Sequence, residues 1–187
     1  EKDEHRTLEI VRIGTCGGMQ EDIPLGTFLV SEKSIGWDGV LAFYEGRDEI
    51  ADLGFEDALV DFIHYPAKAA RPYVVAANPE LVNRMAGDDM MRGCTIAANG
   101  FYGPQGRVLR CDLAVKDINE RITDFRYEGQ RITNYEMEGS AIAGLSLLMG
   151  HKAMTVCCVI AQRKVEAANT DYKPRIKQLV QTVLERI

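Results

Sequence analysis

No apolar run in this sequence approaches the roughly 20 residues that a bilayer-crossing helix requires, and no secretory signal pattern is visible in it. A membrane is therefore not an expected partner. A concentrated basic face is missing too. The net charge is -6 with acids and bases interspersed, which argues against nucleic acid as a partner and still leaves single arginines to recruit a small anion. Histidine is scarce: His5, His64 and His151 are scattered, without the neighbours that metal binding or acid–base work needs. They read as structural, and no metal site is expected. The five cysteines, Cys16, Cys94, Cys111, Cys157 and Cys158, are odd in number and follow no metal-ligand spacing. They read as free thiols in a reducing compartment, so a cytoplasmic location is the expectation. Internal repeats and low-complexity segments are also absent.

What is present suits one sizeable core. The 187 residues are 46% hydrophobic, and a single domain over residues 1–187 is expected. Strand-like and helical runs alternate, which favours an α/β class. Residues 8–13 read as a mostly buried strand, which needs neighbours on both sides. The sequence opens on Glu1 without a methionine, so upstream strands are expected to be missing from it. Residues 8–13 would then be an exposed edge, leaving the chain insoluble or inactive alone. The strand gives way to Gly14-Thr15-Cys16-Gly17-Gly18, read as a turn. It is either a plain tight turn or an anion cradle, in which backbone N–H groups, the Thr15 hydroxyl and the Arg12 guanidinium converge. A dinucleotide or Walker loop is excluded, because Pro24, Gly26 and a second strand at 27–30 follow where a helix is required. Residues 31–61 are loosely patterned and are expected at the surface or at a subunit contact.

Further on, Asn78 and Pro79 make a good helix start between strands at 73–76 and 94–98. The second of these strands opens into a loop carrying Phe101, Gln105 and Arg107, the kind of place where open α/β sheets hold ligands. The charged run 112–129 reads as a solvated helix face. Then comes Asn134-Tyr135-Glu136-Met137-Glu138-Gly139-Ser140-Ala141, two acids around a methionine where a loop meets an apolar helix. The acids either complement the positive end of that helix or aim two acceptors at the vicinal hydroxyls of a sugar. The helix is expected to bury Ala141, Ile142, Leu145 and Leu148 and to stop at Gly150. Residues 154–161 read as a core strand. An amphipathic helix closes the chain, with Ile176, Leu179, Val180, Val183, Leu184 and Ile187 on its apolar side.

Three of these segments together carry a resemblance. Arg-Ile-Gly-Thr-Cys-Gly-Gly at 12–18, Phe-Tyr-Gly-Pro-Gln-Gly-Arg at 101–107 and Asn-Tyr-Glu-Met-Glu at 134–138 resemble, in order, signature segments of the uridine phosphorylases within the nucleoside phosphorylase-I family. The resemblance implies a single three-layer α/β/α domain with a central mixed, partly barrel-like sheet of the phosphorylase/hydrolase type, its N-terminal strands absent from this sequence. It implies reversible phosphorolysis of uridine to uracil and ribose 1-phosphate, with phosphate as co-substrate, no cofactor, a monovalent cation left open, and a homo-oligomer (dimer or hexamer). Arg12 and Thr15 would hold phosphate, and Gly17 would line the nucleoside site. Glu136 and Glu138, with Met137 between them, would hold the ribose, and Phe101 would pack on the nucleoside. Gln105 and Arg107 would read uracil, the amide accepting from N3–H while donating to O2 and the guanidinium facing O4. Arg12, Glu138 and Arg107 are the expected catalytic set. Cys16, as a wall residue without a nucleophilic role, and Ile160 complete the expected pocket. Purine-specific relatives carry an aspartate where this chain has Gln162-Arg163, which favours a pyrimidine. The family's glycine-rich phosphate loop, a further arginine and groups lent by a neighbouring subunit have no counterpart in these residues, and Gly139 stands where serine is common. A purine or broad-specificity phosphorylase and a non-catalytic nucleoside-binding protein are the alternatives.

Overall fold

The computed structural model describes residues 4–163 and 167–187. Its backbone is a mixed sheet in the order β3 (Tyr73–Ala76), β2 (Phe28–Gly36), β4 (Met90–Ala97), β6 (Gln130–Glu136), β1 (Glu9–Gly18), β7 (Lys152–Gln162) and β8 (Ala167–Ala168), in which β2 also pairs with β7. That extra pairing turns β2, β4, β6, β1 and β7 into an incomplete ring, the partly barrel-like sheet expected. The strand β1 (Glu9–Gly18) runs parallel to β7 (Lys152–Gln162) along its whole length, with a bulge between Cys16 and Gly17. The glycine run is therefore strand and not a turn, because β7 supplies backbone partners through Gly18. On its other side β1 meets β6 (Gln130–Glu136) only at Gly17 and Gly18. Among the described residues nothing pairs with the outer edge of the first half of β1. Val11 and Ile13 are accordingly half-buried rather than enclosed as the sequence suggested.

The loosely patterned stretch 31–61 proves to be largely structured. The strand β2 (Phe28–Gly36) continues well past residue 30, because it is flanked by β3 (Tyr73–Ala76), β4 (Met90–Ala97) and β7. A 3-10 turn at Val40–Phe43 buries Leu41. After the short helix α1 (Arg47–Ile50), the helix α2 (Leu53–Ile63) buries Phe55, Leu59 and Ile63. The acid Glu56 on its inner side hid this periodicity. It is 1% exposed, held by Arg47 at 2.5 Å and by the Val74 N–H at 2.9 Å, so its charge is compensated inside the fold.

The helix α3 (Pro79–Met85) starts as read, with Asn78 Oδ1 accepting from the Leu81 N–H at 3.1 Å. The helix α4 (Ile118–Asp124) points charges outward but also buries Ile118 and Ile122. It leads through Phe125, which packs on Phe55 at 5.3 Å, into the short strand β5 (Arg126–Tyr127). The helices α2 and α4 thus cover one hydrophobic cluster, while α3 and α6 (Lys173–Arg186) cover another.

Two helix faces differ from expectation. The helix α5 (Gly139–Leu148) buries its small residues, Gly139, Ser140, Ala143, Gly144 and Ser146, and leaves Ala141, Ile142, Leu145 and Leu148 half-exposed. Close packing selects the small face: a Cβ on Gly144 would lie 2.5 Å from a Leu41 methyl. On α6, Leu179 and Val183 are buried as expected, whereas Leu184 and Ile187 face outward. The strand β8 (Ala167–Ala168) pairs with the end of β7.

Candidate active site

The parallel pairs β1/β7 and β4/β6 run in opposite directions and meet where the C-terminal ends of β1 and β6 overlap, Gly17 opposite Tyr135 and Gly18 opposite Asn134. A cleft of about 490 Å³ lies there, within the size range of small-ligand sites. Every position expected to bind substrate lines it: Arg12, Thr15, Cys16 and Gly17 from β1, Phe101, Gln105 and Arg107 from the loop after β4, Glu136, Met137 and Glu138 at the start of α5, and Ile160 from β7. Tyr135, Arg163, Tyr172 and Ile176 join them.

One end of the cleft holds a cation between two acids. Arg12 Nη1 lies 2.9 Å from Glu136 Oε2, and Arg12 Nη2 is paired with Glu138 Oε2. Arg12 Nη1 also donates to the Cys157 sulfur at 3.5 Å. The guanidinium folds over Gly14, where a Cβ would come within 2.8 Å of Nη1, so a side chain at that position would push Arg12 off its partners. The two acids stand in different surroundings. Glu136 is fully buried and accepts from the N–H groups of Glu138 and Gly139 at 2.9 Å, closing the exposed amides at the start of α5. Burial pushes its carboxyl pKa up, although those N–H groups and Arg12 oppose the shift. Glu138 makes no capping bond, its side chain is 59% exposed at the cleft, and among the described residues its carboxylate pairs with Arg12 alone. The two readings of the paired acids therefore divide between them. Glu136 serves the helix end, and Glu138 leaves its carboxylate exposed at the cleft.

The opposite end is built from donors. Gln105 is buried, and its Oε1 accepts from Arg107 Nη1 at 2.8 Å and from Arg163 Nη2 at 2.5 Å. An amide oxygen has two acceptor sites, so this arrangement leaves only the Nε2 hydrogens of Gln105 for a ligand. Arg107 stacks on Phe101 with its guanidinium carbon 3.7 Å from the ring centroid. Arg163 lies over the Tyr135 ring at 5.6 Å, and its buried Nε has no hydrogen-bond partner among the described residues. Burial, and then the neighbouring Arg107, pull the Arg163 pKa down to about 10. Two cations sharing one amide carbonyl in a sheltered wall attract negative charge. Arg163 was the functional candidate that sequence reasoning passed over, having been noted only as the absence of an aspartate. Its signal was positional: a base just after a core strand parallel to β1, where its N–H donates to the Gly18 carbonyl at 3.0 Å.

Among the described residues no group of His, Cys, Asp or Glu is placed to hold a metal ion, and no helix is long and apolar enough to cross a membrane. Residues 3–186 match the phosphorylase superfamily, and the chain belongs to that family. The chain is 28% identical over 161 residues to uridine phosphorylase A of Schistosoma mansoni, covering 82% of this chain and 47% of that protein. It is 24% identical over 155 residues to the uridine phosphorylase of Thermococcus kodakarensis, covering 82% and 48%. In three dimensions it resembles a Trypanosoma brucei nucleoside phosphorylase described as showing uridine phosphorylase activity. There the TM-score is 0.80 at 25% identity, over 95% of this chain and 62% of the other. The chain spans about half the length of the curated relatives it matches.

Proposed function

We propose that this chain belongs to an enzyme that carries out reversible phosphorolysis of uridine, giving uracil and ribose 1-phosphate. The observation that carries the reading is a single cleft with an arginine–glutamate pair at one end and a donor-rich wall at the other. The relatives named uridine phosphorylase support it. Phosphate takes the place of Glu138 on Arg12, with the Thr15 hydroxyl beside it, and lies beneath the sugar where attack on C1′ is effectively intramolecular. Glu138, released, accepts from the ribose 2′-hydroxyl. A phosphate oxygen bonds to C1′ as the C1′–N1 bond breaks through an oxocarbenium-like state, and the bonding pair leaves with uracil. The resulting anion lies against Arg107, Arg163 and the Nε2 hydrogens of Gln105, donors already in place where the charge appears, and is then protonated by solvent. Phe101 and Met137 enclose the nucleoside, and Cys16, Gly17 and Ile160 form the cleft wall.

The donor-only wall also favours pyrimidine over purine, since uracil offers it two carbonyls whereas hypoxanthine, the base of inosine, offers one and adenine none. Steady-state phosphorolysis of uridine and inosine by the parent, Arg107→Leu and Arg163→Leu tests this. The parent is expected to prefer uridine. Each variant is expected to lose on the order of tenfold in kcat/KM for uridine, the scale of about 1–3 kcal/mol for a buried group left unpaired. Equal or better use of inosine by the parent would overturn the pyrimidine assignment.

A further inference from the structure

Behind the acids, outside the cleft, one carboxylate ties three elements together. Asp38 Oδ1 accepts from the Val40 N–H of the 3-10 turn at 2.7 Å. Asp38 Oδ2 accepts from the Ser140 hydroxyl of α5 at 3.1 Å. The Tyr73 hydroxyl of β3 lies 3.1 Å from both Asp38 oxygens and 3.0 Å from Ser140 Oγ. Ser140 and Tyr73 are completely buried or nearly so. Tyr73 reaches Asp38 by lying across Gly36, where a Cβ would stand 2.1 Å from the ring. Burial pushes the Tyr73 pKa up, so the phenol stays a donor.

Ser140 is the second residue of α5, directly after the segment that presents Glu136 and Glu138. The N–H groups of Glu138 and Gly139 hold the Glu136 carboxylate, so the first turn and both acids form one unit. That unit has little room to slide: a Cβ on Gly139 would lie 3.0 Å from both Glu136 Oε1 and Thr155 Oγ1. An α5 freed from Asp38 would therefore carry both acids with it. We propose that Asp38, Tyr73 and Ser140 form a positioning lock on the start of α5 that sets where Glu136 and Glu138 stand in the cleft. Its effect on turnover rests on the phosphorolysis reading above. None of the three touches substrate in this account, so they are positioning residues.

The experiment compares Ser140→Ala, Tyr73→Phe and Glu138→Gln with the parent in two measurements. Amide exchange at Glu138 and Gly139 reads the lock directly, without reference to any activity. Both lock variants should speed exchange there and leave the amides of α6 unchanged. Unchanged exchange at Glu138 and Gly139 in both variants would overturn the lock. The second measurement is kcat/KM with uridine and with 2′-deoxyuridine. A lock acting through Glu138 should cost Ser140→Ala on the order of tenfold with uridine, within what a displacement of about 1 Å can cost, and much less with the deoxynucleoside. Ser140→Ala should add little further loss in a Glu138→Gln background. Equal losses on both substrates, additive with Glu138→Gln, would assign Ser140 a merely structural role. A parent that releases no uracil would remove the activity reading, while the exchange result would still decide the lock.

Discussion

Arg12 and Glu138 hold each other in this structure, and the proposed reaction requires them apart. Phosphate on Arg12 frees Glu138 for the ribose, so the two substrates should help each other bind, with equal coupling in both directions. The KM for uridine is expected to fall as phosphate is raised. Glu138→Gln keeps the shape and removes the charged acceptor. It should lower uridine turnover roughly tenfold or more, the order of a charge-assisted hydrogen bond of about 1.5–3 kcal/mol, and weaken the coupling. Unchanged turnover and coupling would return Glu138 to the role of a helix-start acid. At this scale the sequence was most legible where a side chain's chemistry and its strand-end position coincide, as for Arg12, Gln105, Arg107 and the paired acids. What it did not show was commitment between side chains. Gln105 reads in sequence as a free amide able to accept from uracil N3–H, yet Arg163, 58 positions away, takes its second acceptor site. The division of labour between Glu136 and Glu138 is also invisible without the burial of one and the exposure of the other.

At the scale of elements, caps and long apolar strands were legible and helix faces were not. The Asn78-Pro79 start and the core strand β7 follow from local chemistry alone. The missed helix α2 has an equally local start: Asp52 Oδ1 accepts from the Phe55 N–H at 3.0 Å, and Lys33 lies 2.6 Å from Oδ2. Burial raises the Asp52 pKa, but Lys33 and the Phe55 N–H outweigh it and hold the carboxyl below its ordinary value. A carboxyl depressed in the folded state stabilises above its unfolded pKa and loses that contribution as pH falls through its folded pKa. Asp52→Ala should therefore cost about 1 kcal/mol at neutral pH, as a lost cap does, and the gap from the parent should close in acid. Denaturant titrations near pH 7 and pH 3 check this. A gap that does not shrink in acid would show that the carboxylate's charge is not what stabilises α2. The inner face of α5 escaped sequence reading because apolar periodicity marks the large residues. Here Leu41 fills the space above Gly144, and the small residues face inward.

Over the whole molecule, sheet order decides what is finished and what is open. The class, the mixed sheet and its partial ring followed from the alternation of elements and from the resemblance, whereas the pairing of β2 with both β4 and β7 needed the three-dimensional structure. The first half of β1 pairs with β7 alone among the described residues, and Leu8 beside it is 50% exposed. An unpaired edge of this kind recruits further strands. The 187-residue chain by itself is therefore expected to self-associate, as read by light scattering; a monodisperse monomer at high concentration would show that this edge is already protected. The central claim concerns the cleft and the reaction it supports. It is tested most directly by incubating the intact protein, and not residues 1–187 alone, with uridine in the presence and absence of inorganic phosphate and identifying both products. The account predicts uracil only when phosphate is present, with ribose 1-phosphate formed in equal amount. Uracil and free ribose without phosphate, or no uracil under either condition, would contradict it.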